Sequence, residues 1–438
     1  MTNKSVVIIG AGWAGLAAAV KLSEQGIKVS LFESAKQAGG RARAVRFNDL
    51  TADNGQHLLI GAYTECLHLM KTVGIDTSTS LQRLPLLLTV FDKKYSTLIL
   101  KAPALPAPLH LLYALFTAKG LKLKDRLTAI NFGLYLKKNN YQFEQDISVA
   151  QLFKKTKQTD VLVRQLWEPL CLSTMNTPIK DASANVFMRV FKDAFTYKRK
   201  DADLLVPMVD LSNLFPNAAI KYIEDHGGKV YLKSRIENIE ITNNQVTSLT
   251  AKIDNSLEVI KTSNVIISTA PQNINKLISN HTRLNNINNK IEQFNYEPIV
   301  TVYLQYSKET QLSQAMIGLS NTLSQWVFDR GALCNQPGLI SVVISCNGPH
   351  MDMDDDTLSQ TVHNEISALF TSKPTLINSF VIREKRATFA CTVNINDNRP
   401  QNKTDINGLY IAGDYTNTHY PATLEGAVRS GSAAANLI

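Results

Sequence analysis

Four groups of residues near the start of the 438-residue chain have types and spacing suited to an adenine dinucleotide. They are Gly10-Ala11-Gly12-Trp13-Ala14-Gly15, then Glu33, then Gly39-Gly40-Arg41-Ala42, then Asp53-Asn54-Gly55-Gln56-His57. Gly10 permits a tight turn, Gly12 lets a pyrophosphate approach the backbone, and Gly15 lets a helix lie close against a strand. The helix that starts there offers free N–H groups and a partial positive charge to phosphate oxygens. Glu33 is spaced to accept hydrogen bonds from ribose hydroxyls, and an acid at that point favours a ribose without a 2′-phosphate.

A second group stands at the far end of the chain. Gly413-Asp414 follows a short apolar run, and Thr423-Leu424-Glu425 opens a small-residue stretch with helical period. A strand end beside a helix N-terminus again makes a polar or anionic site. A simple NAD-binding unit needs no such partner. An extended FAD does, with its adenine half held by one end of the chain and its flavin reached by the other.

Regular elements must hold these groups in register. Residues 6–9 read as a buried parallel strand, 13–25 as an Ala-rich helix and 28–32 as a second strand ending at Glu33. Residues 63–73 are helical, and from about 81 to 207 strand fragments give way to helices, including 127–138 and 161–172. A helix over 215–226 ends at Gly227-Gly228, and strands follow at 229–232, 236–242, 246–253, 257–261 and 265–270. A second sheet is expected from 299–306, 325–329 and 339–345. The Asn-rich residues 285–289 read as a surface loop, and Asp352 to Asp356 as the cap of a helix over 357–370 rather than a metal site. The fold class is α/β: a Rossmann-like dinucleotide domain (1–80, 205–290 and 395–438) interrupted by an α+β substrate domain (81–204 and 291–394).

Composition narrows the function classes. Five scattered cysteines, odd in number and without a C-x-x-C pair, argue against a structural zinc, a disulfide framework and an oxidising compartment. No metal is expected. A strand beginning at Val6 leaves no length for a signal peptide, so the cytoplasm is the expected location. The net charge of +9 is spread rather than striped, which speaks against nucleic acid. Residues 102–118 (APALPAPLHLLYALFTA) form the longest near-apolar run, flanked by Lys101, Lys119, Lys122 and Lys124. The run is too short and Pro-rich to span a bilayer. It suits a segment lying on an anionic membrane surface, such as the inner face of the cytoplasmic membrane, and equally a Pro-started core or lid helix.

The GAGWAG turn, Glu33, GGR, the late Gly-Asp and the EGA…SG helix together resemble the amine oxidase and phytoene desaturase superfamily of FAD enzymes, a GR2-type fold. Four longer words, at residues 12–19, 53–58, 325–330 and 421–427, are similar to the hydroxysqualene dehydroxylases of hopanoid synthesis. The likeness spans essentially the whole chain. It implies that Gly10 to Gly15 hold the diphosphate, Glu33 the adenosine ribose, and Arg41 the flavin side, with Gly40 and Ala42 beside it. It further implies Ile236 against the adenine, Gly413 and Asp414 against the ribityl–diphosphate region, and Thr423 and Leu424 by the flavin's pyrimidine edge. Gln56 and His57 fall near the isoalloxazine ring. No cysteine stands at a clear covalent-flavin position, so the FAD is expected to be non-covalent.

Thr423 stands where amine oxidases place their second caging tyrosine, which disfavours an amine and suits a hydrocarbon. The implied substrate is an apolar isoprenoid alcohol, reduced with loss of its hydroxyl. A departing hydroxide needs a proton, and His57, Glu425 and Asp329 are the candidate donors; Trp326, Phe328 and Tyr303 are candidates to line an apolar tunnel. Contact with enzymes acting earlier in squalene synthesis is a further expectation. Two rivals stay open: a carotenoid-type desaturase running the electron transfer the other way, and a prenyl-lipid carrier of the GDP-dissociation-inhibitor type with the same fold and no redox chemistry.

Overall fold

The computed structural model describes residues 5–47, 50–279 and 281–438. Its first layer is a five-stranded parallel sheet in the order Lys229–Tyr231, Lys28–Phe32, Ser5–Ile9, Val265–Ile267, Leu409–Ile411. Val6 to Ile9 and Val265 to Ile267 are buried, as strands covered on both faces must be. Helix Trp13–Glu24 packs on this sheet, and the C-terminal helix Leu424–Ala435 packs on Trp13–Glu24. Their contact is close at Gly431, where a Cβ would stand 2.1 Å from the Ala14 carbonyl oxygen. The meander Arg235–Thr242, Gln245–Ile253, Ser256–Lys261 forms a separate three-stranded antiparallel sheet.

The second layer is a seven-stranded sheet in the order Asn378–Phe389, Tyr296–Gln305, Leu339–Ser345, Trp326–Asp329, Met316–Ser320, Leu87–Asp92, Leu98–Lys101. The hairpin Leu87–Lys101 therefore joins strands more than 200 residues away, through a parallel pairing with Met316–Ser320. Helix Leu109–Thr117 of the long insertion packs on strand Leu98–Lys101, and helix Leu123–Lys138 packs on that helix, while Asp355–Ile366 packs on Tyr296–Gln305 and Asn378–Phe389.

The expected α/β architecture is borne out. Two local readings need correction or refinement. Residues 285–289 are not a loop but the start of helix Asn285–Glu292. Leu284, Asn288 and Ile291 recur at helical spacing and are all buried, so the face they form outweighed the poor helix propensity of asparagine. The helical stretch around 161–172 carries a wide π-helical turn over Val163–Trp167 before continuing as Glu168–Met175. Asp354 caps helix Asp355–Ile366 as expected, accepting from the Thr357 N–H at 2.8 Å.

Candidate functional site

One cavity of 730 Å³ runs between the two layers. At one end lie the glycine turn and the start of the C-terminal helix; at the other lie Leu86 to Leu88, Leu111, Leu115, Trp167 and Phe191. Of the residues expected to hold a cofactor, Gly10, Gly12, Trp13, Ala14, Glu33, Gly40, Arg41, Ala42, Gln56, His57, Ile236, Gly413, Asp414, Thr423 and Leu424 all line this space. Ala11 and Gly15 stand behind that lining. Ala11 donates its N–H to Glu33 Oε2 at 2.8 Å and accepts from Gly39 N–H. Gly15 is pressed into the wall: a Cβ there would meet Gly10 O at 2.0 Å and Ser268 Oγ at 2.3 Å.

The glycines divide the labour of the turn. Gly10 takes φ +103°, a conformation that L side chains rarely adopt, and its N–H closes onto Phe32 O at 2.7 Å. Gly12 has an ordinary extended backbone, yet a Cβ there would meet nothing within 4 Å, so its face is bare towards the cavity. Bare backbone at a helix N-terminus is the surface a diphosphate needs. Across the cavity, Thr423 caps helix Leu424–Ala435 by accepting from Gly426 N–H at 3.1 Å. Two helix N-termini thus line one cavity.

Arg41 joins the two ends of the chain. Its Nη2 lies 2.7 Å from Asp414 Oδ2, and its Nη1 donates to Ala387 O at 2.6 Å. Burial works against the guanidinium charge, but the paired Asp414 more than offsets it and raises the pKa. An ion pair on the cavity wall holds fixed charge where a polar cofactor lies. Thr269 and Tyr415 also line the cavity, and their hydroxyls are buried without a protein partner. Orphaned polar atoms in such a wall suit a ligand that hydrogen-bonds them. The donor set, the bare Gly12 face and the volume of the cavity together fit FAD.

The three candidate proton donors separate clearly. His57 lines the cavity, with Nδ1 2.9 Å from Gly55 O. A carbonyl can only accept, so Nδ1 carries the hydrogen and Nε2 is left for other partners. Burial lowers the His57 pKa, and Arg41 adds to the lowering, so the ring is neutral near pH 7.

Glu425 is fully buried outside the cavity lining. It accepts from the N–H groups of Glu65 and Cys66 at 3.1 and 3.0 Å, at the start of helix Thr64–Thr72, and from Arg429 Nε at 2.8 Å. Asp329 is likewise buried away from the lining, accepting from Leu312 N–H at 2.8 Å and capping the short helix Arg330–Cys334 through Ala332 N–H at 3.1 Å. Both carboxylates tie backbone together, and neither lines the cavity. Trp326 and Phe328 line the apolar end as expected, whereas Tyr303 is packed behind, stacked on Phe380 and donating to Asp53 O at 3.0 Å.

One residue that sequence reasoning did not single out is Arg330. It is 3% exposed and donates from Nη1 to Gln56 Oε1 at 2.7 Å and from Nε to Gln336 Oε1 at 2.6 Å. Its Nη2 stands 3.8 Å from Asp53 Oδ2, whose pKa burial pushes up to about 6. Arg330 therefore clamps the chain that carries Gln56 and His57. The word ending in Asp329-Arg330 was visible in the sequence, but nothing in it told a buried arginine from an exposed one.

Comparison with known proteins decides the family. The model of the flavin containing amine oxidoreductases matches residues 13–438. The chain belongs to that family. It is a flavin-dependent oxidoreductase, as the glycine turn and the late Gly-Asp implied, and the carrier reading falls away. Among curated relatives, the hydroxysqualene dehydroxylase of Zymomonas mobilis is 26% identical, with 98% of each chain covered. The zeta-carotene desaturase of Arabidopsis thaliana is 24% identical over 99% of this chain and 85% of its own. An oxidoreductase from Methanosarcina mazei shares the fold with a TM-score of 0.74 at 16% identity, covering 98% of each chain. The family's flavin accounts for a cavity with one polar end.

Proposed function

We propose that this oxidoreductase uses a non-covalent FAD to reduce hydroxysqualene, an allylic C30 alcohol, to squalene. The observation that carries the reading is the sleeve of aliphatic and aromatic side chains continuous with the polar cradle, with His57 on the same wall. Leu58, the neighbour of His57, packs in one cluster with Trp326 and Phe328, so the imidazole borders the apolar end. No cysteine is among the cavity-lining residues, and burial pushes the Cys391 thiol up to about 12, far from a reactive thiolate. Both support a cofactor held without a covalent bond.

Reduced flavin, when bound, would supply a hydride, an electron pair with its hydrogen nucleus, to the carbon that loses the hydroxyl. The chain's own residues do the rest. In its doubly protonated form, which grows as pH falls, His57 delivers the Nε2 proton to the leaving oxygen, which departs as water. Trp326 lines the cavity beside this wall, and its indole N–H is buried without a protein partner. Leu88, Leu166, Trp167 and Phe191 exclude water from an electron-poor allylic carbon that water would otherwise trap. Arg330 holds Gln56, and through it the loop that carries His57, in place.

The test is product analysis. Reduced protein incubated anaerobically with hydroxysqualene is expected to yield squalene. No squalene, together with oxidation of phytoene by the oxidised protein, would overturn the proposal in favour of a desaturase.

A further inference from the structure

Helix Leu109–Thr117 is apolar on the side where a water-facing helix is polar. Leu109, Leu112, Tyr113 and Phe116 follow the i, i+3, i+4, i+7 spacing of a buried stripe, yet they are 52, 37, 51 and 56% exposed. The next helix continues the patch, with Leu123, Leu127 and Leu134 all exposed along one side. Arg126 ties the two helices together by donating to Phe116 O at 2.7 Å and Ala118 O at 2.9 Å.

Charge frames the same face. Lys93, Lys94, Lys101, Lys119, Lys122 and Lys124 are all exposed, and no acid stands between Asp92 and Asp125, both of them buried. These lysines are held near one another. Lys119 and Ile99 exchange backbone hydrogen bonds at 3.0 and 3.2 Å, and Gly120 sits so close to Thr97 that a Cβ would stand 2.4 Å from its carbonyl oxygen. On the inner side of the helix, Leu111 and Leu115 line the cavity. One helix therefore separates the apolar end of the cavity from an exposed apolar face ringed by lysine.

We propose that this face docks on an anionic lipid bilayer, its leucines and Phe116 in the interfacial layer and its lysines over the headgroups, so that apolar ligands pass between bilayer and cavity beside Leu109–Thr117. Charge selects this occupant over a second copy of the chain, which would set lysine against lysine. An acidic surface neutralises the ring, and each lysine near it adds attraction. The mode is lateral insertion, since no helix among the described residues is long and apolar enough to cross a membrane. The proposal stands whichever isoprenoid is turned over.

Co-sedimentation with vesicles of phosphatidylglycerol and phosphatidylcholine tests it without substrate. The protein is expected to bind these vesicles and to bind pure phosphatidylcholine far less. The pair Leu109→Asp and Phe116→Asp should weaken binding by roughly tenfold or more, as should Lys119→Glu with Lys122→Glu and Lys124→Glu. Leu257→Asp with Val259→Asp, at positions as exposed but in the distant meander, should bind as the wild type does. Thermal melts of each variant establish that it is folded. Absence of vesicle binding by the wild type, or full binding by the Leu109/Phe116 variant, overturns the proposal. So does a dimer that dissociates in that variant while no vesicles are bound, because the face then belongs to a second copy.

Discussion

The two ends of the cavity are built in opposite ways. The polar end is made mainly by backbone, a bare glycine face and two helix N-termini, with one side-chain pair, Arg41–Asp414, all drawn from a few short segments. The apolar end is made by side chains scattered over Leu86 to Leu88, Leu111, Leu115, Leu166, Trp167, Phe191, Met316 and Trp326. A cradle of backbone demands particular residues at fixed spacing, because only glycine leaves the space. A wall of side chains accepts any apolar residue of suitable size. The cofactor is therefore specified locally, and the substrate by the assembled fold.

Breaking the turn itself should have the largest effect. Gly15→Val pushes a side chain into the Gly10 carbonyl and should cost more than ~4 kcal/mol, so that soluble protein is lost. Gly12→Val should do the opposite. The fold tolerates it, since its Cβ meets nothing, but the branched chain intrudes where the diphosphate lies. Protein that is folded by circular dichroism and colourless after purification is the expected result. A yellow Gly12→Val protein would move the diphosphate elsewhere.

Where the two ends meet, His57→Ala should retain flavin and slow dehydroxylation by roughly 10²-fold. The pH dependence carries a sign. The His57 pKa lies below its ordinary 6.5, so the protonated, donating form grows as pH falls through that lowered value. Wild-type turnover should rise on the acid side, and the variant should lose that limb. Because unfolded chain takes up this proton near pH 6.5 and folded chain only lower, the group's contribution to stability is lost as pH falls below 6.5. A His57→Ala profile that keeps the acid limb would return the imidazole to a packing role.

The smallest effect belongs to a carboxylate outside both ends. Asp329→Asn should leave turnover within about twofold, because the residue only caps backbone, and lower stability by about 1 kcal/mol. A large loss of rate with an unchanged melting temperature would restore Asp329 as an acid.

These contrasts also show how much was legible in the sequence. The parallel strands, the first helix, Glu33, Arg41, Asp414 and the C-terminal helix follow from local spacing, and the structure brings them to one cavity. Glu425 and Asp329 could not be sorted from His57 in the same way. A carboxylate's partners are set by which N–H groups the fold carries to it, here Glu65 and Cys66 from about 360 residues away for one and Leu312 for the other. Arg330 was missed for the same reason, as its partners Gln56 and Asp53 lie some 275 residues earlier. Helix Asn285–Glu292 was misread because asparagine content was weighed above the period of Leu284, Asn288 and Ile291.

The central claim is that electrons held at the polar end reach an allylic alcohol seated at the apolar end. Anaerobic single-turnover mixing of the fully reduced protein with hydroxysqualene tests it most directly, by following the visible flavin absorbance and the product in one experiment. The account predicts that absorbance returns as squalene forms, one molecule per flavin oxidised. Absorbance that stays bleached, with hydroxysqualene recovered intact, would contradict it.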